Sequence, residues 1–303
     1  MKETFGEKVR LLREGKQLTR EEFCGDETEL SIRQLARIES GKSTPNLARA
    51  QFIAQQLGVG LGELTDGKSL ELPKRYTELK YLILRTPTYM DAERLRIREE
   101  QFDEIYEKFY EELPEDEQLT ITFIQSKFEV YQTGDTEFGT DVIEDYFKQV
   151  QKKKLYTLND IVLIDLFLTC SIVLNFTSHL FDNAIYELLS SNLIKQSEYL
   201  PIEDLPLLNS VLLVCADASV RLEKFNLLSN LLSASHSLMT KIQDFQKMPI
   251  YNMLMWEYYL FGENNYVQAE NHYNQSILFA KMMNDIHLAE KLEKEWEMDN
   301  LGK

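Results

Sequence analysis

From residue 75 onward the chain is a succession of apolar-periodic stretches joined by short turns. Apolar residues recur at helical spacing near residues 75–84, 91–112, 116–131, 137–152, 157–176, 178–195, 202–220, 223–241, 249–262, 265–283 and 285–299. With only 12 glycines and 7 prolines in 303 residues, the sequence has few places for hairpin turns. Successive helix pairs repeat at roughly 40 residues. The pattern therefore predicts an all-α chain in which helix pairs stack one on the next.

The clearest repeat unit is MPIYNMLMWEYYLFGENNYVQAENHYNQSILFAKMMND, residues 248–285, which places Ala269, Tyr273 and Ala280 on one face of its second helix. This unit is similar to a tetratricopeptide (TPR) repeat. The match is partial, because Glu257 stands where a small residue is usual and Ser276 replaces an alanine. We therefore expect a degenerate TPR-like array, and the concave side of such arrays binds extended peptides.

Charge divides the chain into two parts. Residues 1–66 contain ten Lys and Arg against eleven Asp and Glu, whereas residues 67–303 contain 23 against 39, so the acidity belongs to the second part. The segment DGKSLELPKR between them has too little periodicity for a helix. We predict a first domain over residues 1–66, a linker over 67–75 and a helical domain over 76–303.

The first domain is predicted to contain five short helices, near residues 5–14, 19–24, 31–40, 46–57 and 61–65. On the third helix, Arg33, Gln34 and Arg37 share about a third of the circumference, while Leu35 and Ile38 point to the opposite side. Arginine pairs with guanine, and glutamine with adenine, in the DNA major groove. This face is a candidate for base readout, although the same pattern also occurs on ordinary solvated helices.

Phosphate contacts are expected beside this face. Residues 31–50 have a local net charge of +3 within a chain of net charge −17, which favours a small nucleic-acid surface. Arg20, Lys42 and Asn46, at the start of the fourth helix, are the candidate backbone contacts.

The segments FGEKVRLLREGKQLTREEF, LSIRQLARIESGKSTPNL and AQQLGVGLGEL together resemble the helix-turn-helix (HTH) of the Cro and phage-repressor type. The resemblance implies that Glu39 pairs with an arginine of the first helix, with Arg13 the better candidate and Arg10 the second. One departure is the segment CGDETEL between the second and third helices, which is longer than the usual tight turn. This leaves the placement of Arg20 against the DNA backbone open.

The HTH followed by a TPR-like array resembles the Rgg-type peptide-sensing regulators, and the segments SIRQLARIESGKSTP, TPTY, YEKFYEELPE and YNQSILFA look like those of the ComR competence regulators. The resemblance implies a cytoplasmic receptor that binds a short hydrophobic signalling peptide, forms a homodimer and activates transcription from double-stranded promoter DNA. It also aligns Thr88 and Arg98 with the pheromone site. The alternative is a ligand-independent HTH repressor whose array binds another protein.

Further peptide contacts are predicted from helix position. Asn175, Asn209 and Asn252 are expected on the first helices of successive pairs, which line a TPR groove, and an amide can both donate to and accept from an extended backbone. Arg98 is expected to bind the C-terminal carboxylate of the peptide. Each asparagine could instead cap a helix.

An autoinhibitory contact is predicted from the acidic segment YEELPEDEQ, which contains Glu111, Glu112, Glu115, Asp116 and Glu117. An arginine fork matches a carboxylate as well as it matches guanine. We expect Arg33 to pair with Glu115 in the peptide-free monomer, so that the base-reading side chain is occupied. The alternative is that these acids form only a solvated helix boundary.

The last helix is predicted to take part in dimerisation. Its apolar positions Ile286, Leu288, Leu292 and Trp296 have no following helix to cover them. The alternative is that the helix caps the array.

Other classes of function find little support in the sequence. The four histidines form no recognised catalytic motif, the three cysteines are widely spaced with no CxxC pair, and neither a metal site nor a cofactor is predicted. The apolar window at residues 161–176 is interrupted by Asp165 and is too short to span a membrane. We expect a cytoplasmic protein that has no catalytic residues and does not associate with membranes.

Overall fold

A computed structural model describes residues 3–66 and 70–300. The first domain contains the five predicted helices: α1 Phe5–Gly15, α2 Arg20–Cys24, α3 Ile32–Glu39, α4 Leu47–Leu57 and α5 Leu61–Thr65. Residues 67–69 of the predicted linker lie outside the described residues, and the next helix begins at Lys74.

Side-chain caps fix the starts of the first four helices. Thr4, Thr19 and Ser31 each accept a hydrogen bond from the backbone N–H three residues later, and the side chain of that later residue accepts one from the backbone N–H of the capping residue. Asn46 accepts a hydrogen bond from the Arg49 N–H in the same way. These bonds satisfy N–H groups that have no partner within the helix.

A buried ion pair ties α1 to the end of α3. Arg13 Nε lies 2.6 Å from Glu39 Oε1, and Arg13 also donates to the Leu18 carbonyl oxygen at 2.6 Å. The Glu39 side chain is 1% exposed, so its charge depends on these partners. The predicted pairing of Glu39 with Arg13 is confirmed.

The second domain is a succession of helices, and no strand occurs in residues 3–66 or 70–300. Its helices are α6 Lys74–Arg85, α7 Ala92–Lys108, α8 Glu115–Thr133, α9 Glu137–Val150, α10 Leu158–Val173, α11 Asn183–Lys195, α12 Leu205–Arg221, α13 Phe225–Ile242, α14 Met248–Glu257, α15 Tyr266–Met282 and α16 Ile286–Asn300. The helix predicted over 249–262 ends in a π-helical turn, Tyr258–Gly262. The helix predicted from residue 178 begins only at Asn183, because Asp182 caps it.

The first helices of successive pairs stack on one another, with α8 against α10, α10 against α12 and α12 against α14. Helix α10 is buried along almost its whole length, which explains its apolar sequence. Its acid, Asp165, is 4% exposed and pairs with Lys127 Nζ of α8 at 2.5 Å. No helix within the described ranges has both the length and the apolarity to cross a bilayer.

The last helix packs against the array rather than leaving its apolar stripe bare. Leu288 and Leu292 are each 2% exposed, and Trp296 stacks on Tyr273 of α15 with ring centroids 4.7 Å apart. Of the four predicted positions only Ile286 is exposed. The expectation that the stripe is uncovered is therefore wrong, because α15 lies beneath it.

Gly6 allows α1 to approach α3 closely. A Cβ atom at this position would lie 1.9 Å from the Ile38 carbonyl oxygen, so Gly6→Ala forces the helices apart. We predict a loss of about 1–3 kcal/mol in the unfolding free energy of the first domain, measured by chemical denaturation. Gly15→Ala is the control, since nothing lies within 4 Å of its Cβ position. Equal stability of the two variants would contradict the prediction.

Candidate nucleic-acid interface and peptide groove

The exposed face of α3 contains the residues predicted to read bases. Leu35 and Ile38 are buried in the core of the first domain, which orients Arg33 and Arg37 away from it. The side-chain oxygen of Gln34 is already hydrogen-bonded, because Oε1 accepts from the Ser31 N–H and hydroxyl, both at 3.1 Å. In this geometry only its NH₂ group is free to contact a base, and bidentate pairing with adenine would require the cap to open.

The helical array contacts this face. Arg37 Nε lies 2.8 Å from Glu115 Oε1, where the glutamate side chain is 12% exposed. The Arg33 guanidinium carbon lies 5.8 Å from the centre of the Tyr146 ring, a cation–π distance. The predicted partner of Glu115 is therefore wrong: Arg37 lies one helical turn beyond Arg33 and reaches the carboxylate, while Arg33 lies over an aromatic ring of α9.

Three further contacts join the two domains around this pair. Arg49 of α4 forms an ion pair with Asp116, and the Glu115 N–H lies 3.4 Å from the Thr44 carbonyl oxygen. The Gln149 side chain of α9 donates to the Glu27 carbonyl oxygen in the α2–α3 loop. The long CGDETEL segment thus takes part in the interdomain contact.

Asp116 is deeply buried in this contact. It is 5% exposed, and burial raises the pKa of its carboxyl group, which the Arg49 guanidinium partly opposes. Because Arg49 lowers this pKa more than Lys153 does, the carboxylate depends mainly on Arg49 to remain charged at the interface.

The other predicted acids do not reach α3. Glu117 accepts hydrogen bonds from Lys80 Nζ and the Tyr76 hydroxyl, both at 2.6 Å, so it joins α8 to α6 within the array. Glu111 and Glu112 lie exposed on a single 3₁₀ turn. Among the described residues, Glu115 and Asp116 are the members of the acidic segment that form ion pairs or hydrogen bonds with the first domain.

The residues predicted to contact phosphates differ in whether their side chains already have partners within the protein. Arg20 Nε lies 2.8 Å from Glu39 Oε2, although its side chain remains 39% exposed. Lys42 is exposed, and the Asn46 side chain caps α4. Arg49 and Tyr146 were missed by the sequence analysis as interface residues; the positive charge of residues 31–50 was the one signal for Arg49, and no signal pointed to Tyr146.

Thr88 lies in the connection between α6 and α7, and the side chain of Arg98 in α7 reaches the same connection at Thr86. Both are 8% exposed, and Arg98 donates to the Thr86 carbonyl oxygen at 2.5 Å and to Gln101 Oε1 at 3.2 Å. Burial lowers the pKa of Arg98 to about 10. Within the described ranges its partners are neutral oxygens rather than carboxylates, so its charge is available to an anion.

The three predicted asparagines do not line one groove. Asn175 is exposed in the turn after α10, with a left-handed φ of 48°, so its predicted place on a first helix is wrong. Asn209 Oδ1 accepts from Ser235 of α13 at 2.6 Å, and Asn252 Oδ1 lies 2.8 Å from His272 Nδ1 of α15. Both are buried between the two helices of their own pairs, which is a structural position.

The ComR tetratricopeptide family matches residues 73–296, and a helix-turn-helix domain family matches residues 6–70. No curated protein matched. The chain is 37% identical to ComR from Streptococcus suis over 99% of this chain and 96% of that one, with a TM-score of 0.79.

Two structures of ComR from Streptococcus thermophilus are each 27% identical, covering 98% of this chain and 99% of theirs. The TM-score is 0.81 to the apo form and 0.69 to the complex with DNA and its signalling peptide ComS. The matched domain families and the identity over the full length show that this chain belongs to the ComR family of transcription regulators.

Proposed function

We propose that the protein is a cytoplasmic transcription activator that binds promoter DNA after a short hydrophobic peptide binds its array, and that it controls competence genes. The observation that carries this proposal is the contact between the acids of α8 and the arginines of the DNA-reading surface. A relative whose solved forms include a complex with DNA and a signalling peptide supports both partners. The higher TM-score to the apo form supports assigning the present conformation to the peptide-free state.

DNA readout is assigned to the exposed face of α3. Arg33 has no carboxylate partner within residues 3–66 and 70–300, so releasing it from Tyr146 costs less than releasing Arg37 from Glu115. Arg37 is the second residue assigned to base contacts, and it becomes available once Glu115 separates from it. Arg20, Lys42 and the N-terminus of α4 at Asn46 would contact phosphates and set the register.

We predict that Arg33→Ala weakens binding to the operator by about 1–3 kcal/mol and relaxes the preference at one base pair. The measurement is fluorescence anisotropy on an operator and on copies substituted at each position. Arg10→Ala is the matched control, because Arg10 is exposed on α1 and pairs with Glu14. Unchanged operator preference in Arg33→Ala would remove this residue from base readout.

Autoinhibition is assigned to Glu115 and Asp116. Arg37 cannot contact DNA while it is paired with Glu115, and Arg49 of α4 is paired with Asp116 beside it, so α3 and α4 cannot dock on DNA and on α8 at once. An exposed ion pair contributes only ~0–1 kcal/mol, but here Asp116 is nearly enclosed and two pairs act together. Peptide binding would favour a form of the array in which these acids are withdrawn.

We predict that the double variant Glu115→Gln/Asp116→Asn binds operator DNA about tenfold more tightly than wild type in the absence of peptide. Glu111→Gln/Glu112→Gln is the matched control, since it removes the same charge from the same segment without touching the first domain. Gel shifts with and without peptide measure the effect. An equal gain in both double variants would show that net charge, rather than this contact, limits binding.

Peptide recognition is assigned to the interior of the array, with Thr88 and Arg98 at one end. A buried guanidinium without a carboxylate partner suits the free C-terminal carboxylate of a peptide. The buried asparagines Asn209 and Asn252 would reach a peptide only if their helix pairs rearranged. Asn175 stays a candidate at the rim of the array.

We predict that Arg98→Gln weakens binding of seven-residue apolar peptides with a free C-terminus by at least about tenfold, and hardly affects the same peptides with a C-terminal amide. Fluorescence polarisation on a labelled panel provides the measurement. Arg96→Gln is the control, because Arg96 is exposed on the same helix and pairs with Glu93. Equal loss for acid and amide peptides would assign Arg98 to folding instead.

Dimerisation is assigned to the C-terminal helices, with a second copy of this chain as the partner. Exposed apolar residues there include Leu278 and Met282 of α15, Met283 in the turn, and Ile286 at the start of α16. Of the predicted set, Ile286 belongs to this surface, whereas Leu288, Leu292 and Trp296 hold α16 on the array.

The alternative, a ligand-independent repressor, would bind DNA equally with and without peptide.

A further inference from the structure

Charged side chains from four separate helices converge inside the array. Lys127 of α8 pairs with Asp165 of α10, and Lys247, at the N-terminus of α14, lies close enough to both to interact electrostatically. Arg98 of α7 also acts on Lys247. Helices α8, α10, α12 and α14 stack in this order as the first helices of successive pairs, and we infer that the side these groups share is the concave interior of the array.

The cations in this interior outnumber the acids. Arg85 pairs with Asp244 at 2.9 Å, and Lys127 pairs with Asp165 Oδ2 at 2.5 Å, whereas Asp165 Oδ1 is buried without a hydrogen-bond partner. Arg98 and Lys247 are then left without an acidic partner in the described part of the chain. Among these six groups the cations therefore exceed the acids by two.

Lys247 is in an unfavourable place for a cation. It is partly buried, it forms no hydrogen bond or ion pair through its ammonium with any described residue, and it lies at the positive end of the α14 dipole. Burial lowers its pKa to about 8, and the charges of Lys127 and Arg98 act in the same direction against Asp165 and Asp244. A cation that destabilises the free protein is expected where it serves a ligand.

We propose that Lys247 is a specificity residue that binds an acidic side chain of the signalling peptide, while Arg98 binds the terminal carboxylate. Two excess cations match a ligand with two negative charges near one end. The peptide is therefore apolar along most of its length and has a glutamate or aspartate close to its C-terminus. This inference rests on the proposed function of the array as a peptide receptor.

The test uses the full chain and two sets of labelled seven-residue peptides with free C-termini, apolar except at one of the last three positions. That position is Glu in one set and Gln in the other. In fluorescence polarisation, wild type should favour Glu over Gln by about tenfold at one position at least, as a charge-assisted bond predicts. Lys247→Met should reduce this preference to within about twofold, and the exposed-lysine control Lys152→Met should retain it.

Thermal unfolding without peptide provides the second measurement. Because Lys247→Met removes an unpaired, partly buried cation, the unfolding temperature should stay the same or rise. A fall would show that Lys247 supports the fold and would overturn the assignment.

The results distinguish a wrong assignment of Lys247 from a wrong assignment of the array as a peptide receptor. Equal binding of Glu and Gln peptides by wild type, or a Glu preference that survives in Lys247→Met, would overturn this inference and leave the peptide receptor intact. Binding of neither set would overturn the proposed receptor function itself.

Discussion

The arginines of α3 and α4 can be neutralised by only one partner at a time, and the arrangement of the molecule depends on this constraint. In the described conformation the partners are Glu115 and Asp116, in the first turn of α8. Acids are favourable at a helix N-terminus in any case, so this turn is stabilised locally whether or not the first domain is docked. The contact can therefore break without unfolding either domain, which is what a reversible switch requires.

Charge pairing also matters inside the array, where some cations have no carboxylate partner among the described residues. Asp165 and Asp244 each have a cationic partner, whereas Arg98 and Lys247 have none among the described residues. A ligand that supplies the missing anions would gain electrostatic energy in a partly desolvated space. The arginines at the interdomain contact thus have carboxylate partners, whereas Arg98 and Lys247 inside the array have no ion-pair partner among the described residues.

Much of the fold and part of the site followed from local sequence patterns. Two helix starts were predicted correctly from Thr19 and Ser31, whose side chains cap helices through bonds to residues three positions later. The cap at Asp182 was not recognised, so that helix was predicted to begin too early. The Arg13–Glu39 pair followed from family resemblance. The identity of the arginine opposite Glu115 did not follow, since one helical turn separates Arg33 from Arg37 and only the docking angle of α3 on α8 decides between them.

The sequence by itself determined the all-α class, the two-part organisation, the acidic array and the arginine-rich face of α3, because periodicity, capping and charge are properties of neighbouring residues. The tertiary structure decided which distant residues meet. It covered the stripe of α16 with α15, turned Asn209 and Asn252 toward their own partner helices, and placed Lys247 near Lys127 although 120 positions separate them. Such contacts depend on how the helices stack, and stacking is set by the packing of whole faces, which no local pattern specifies.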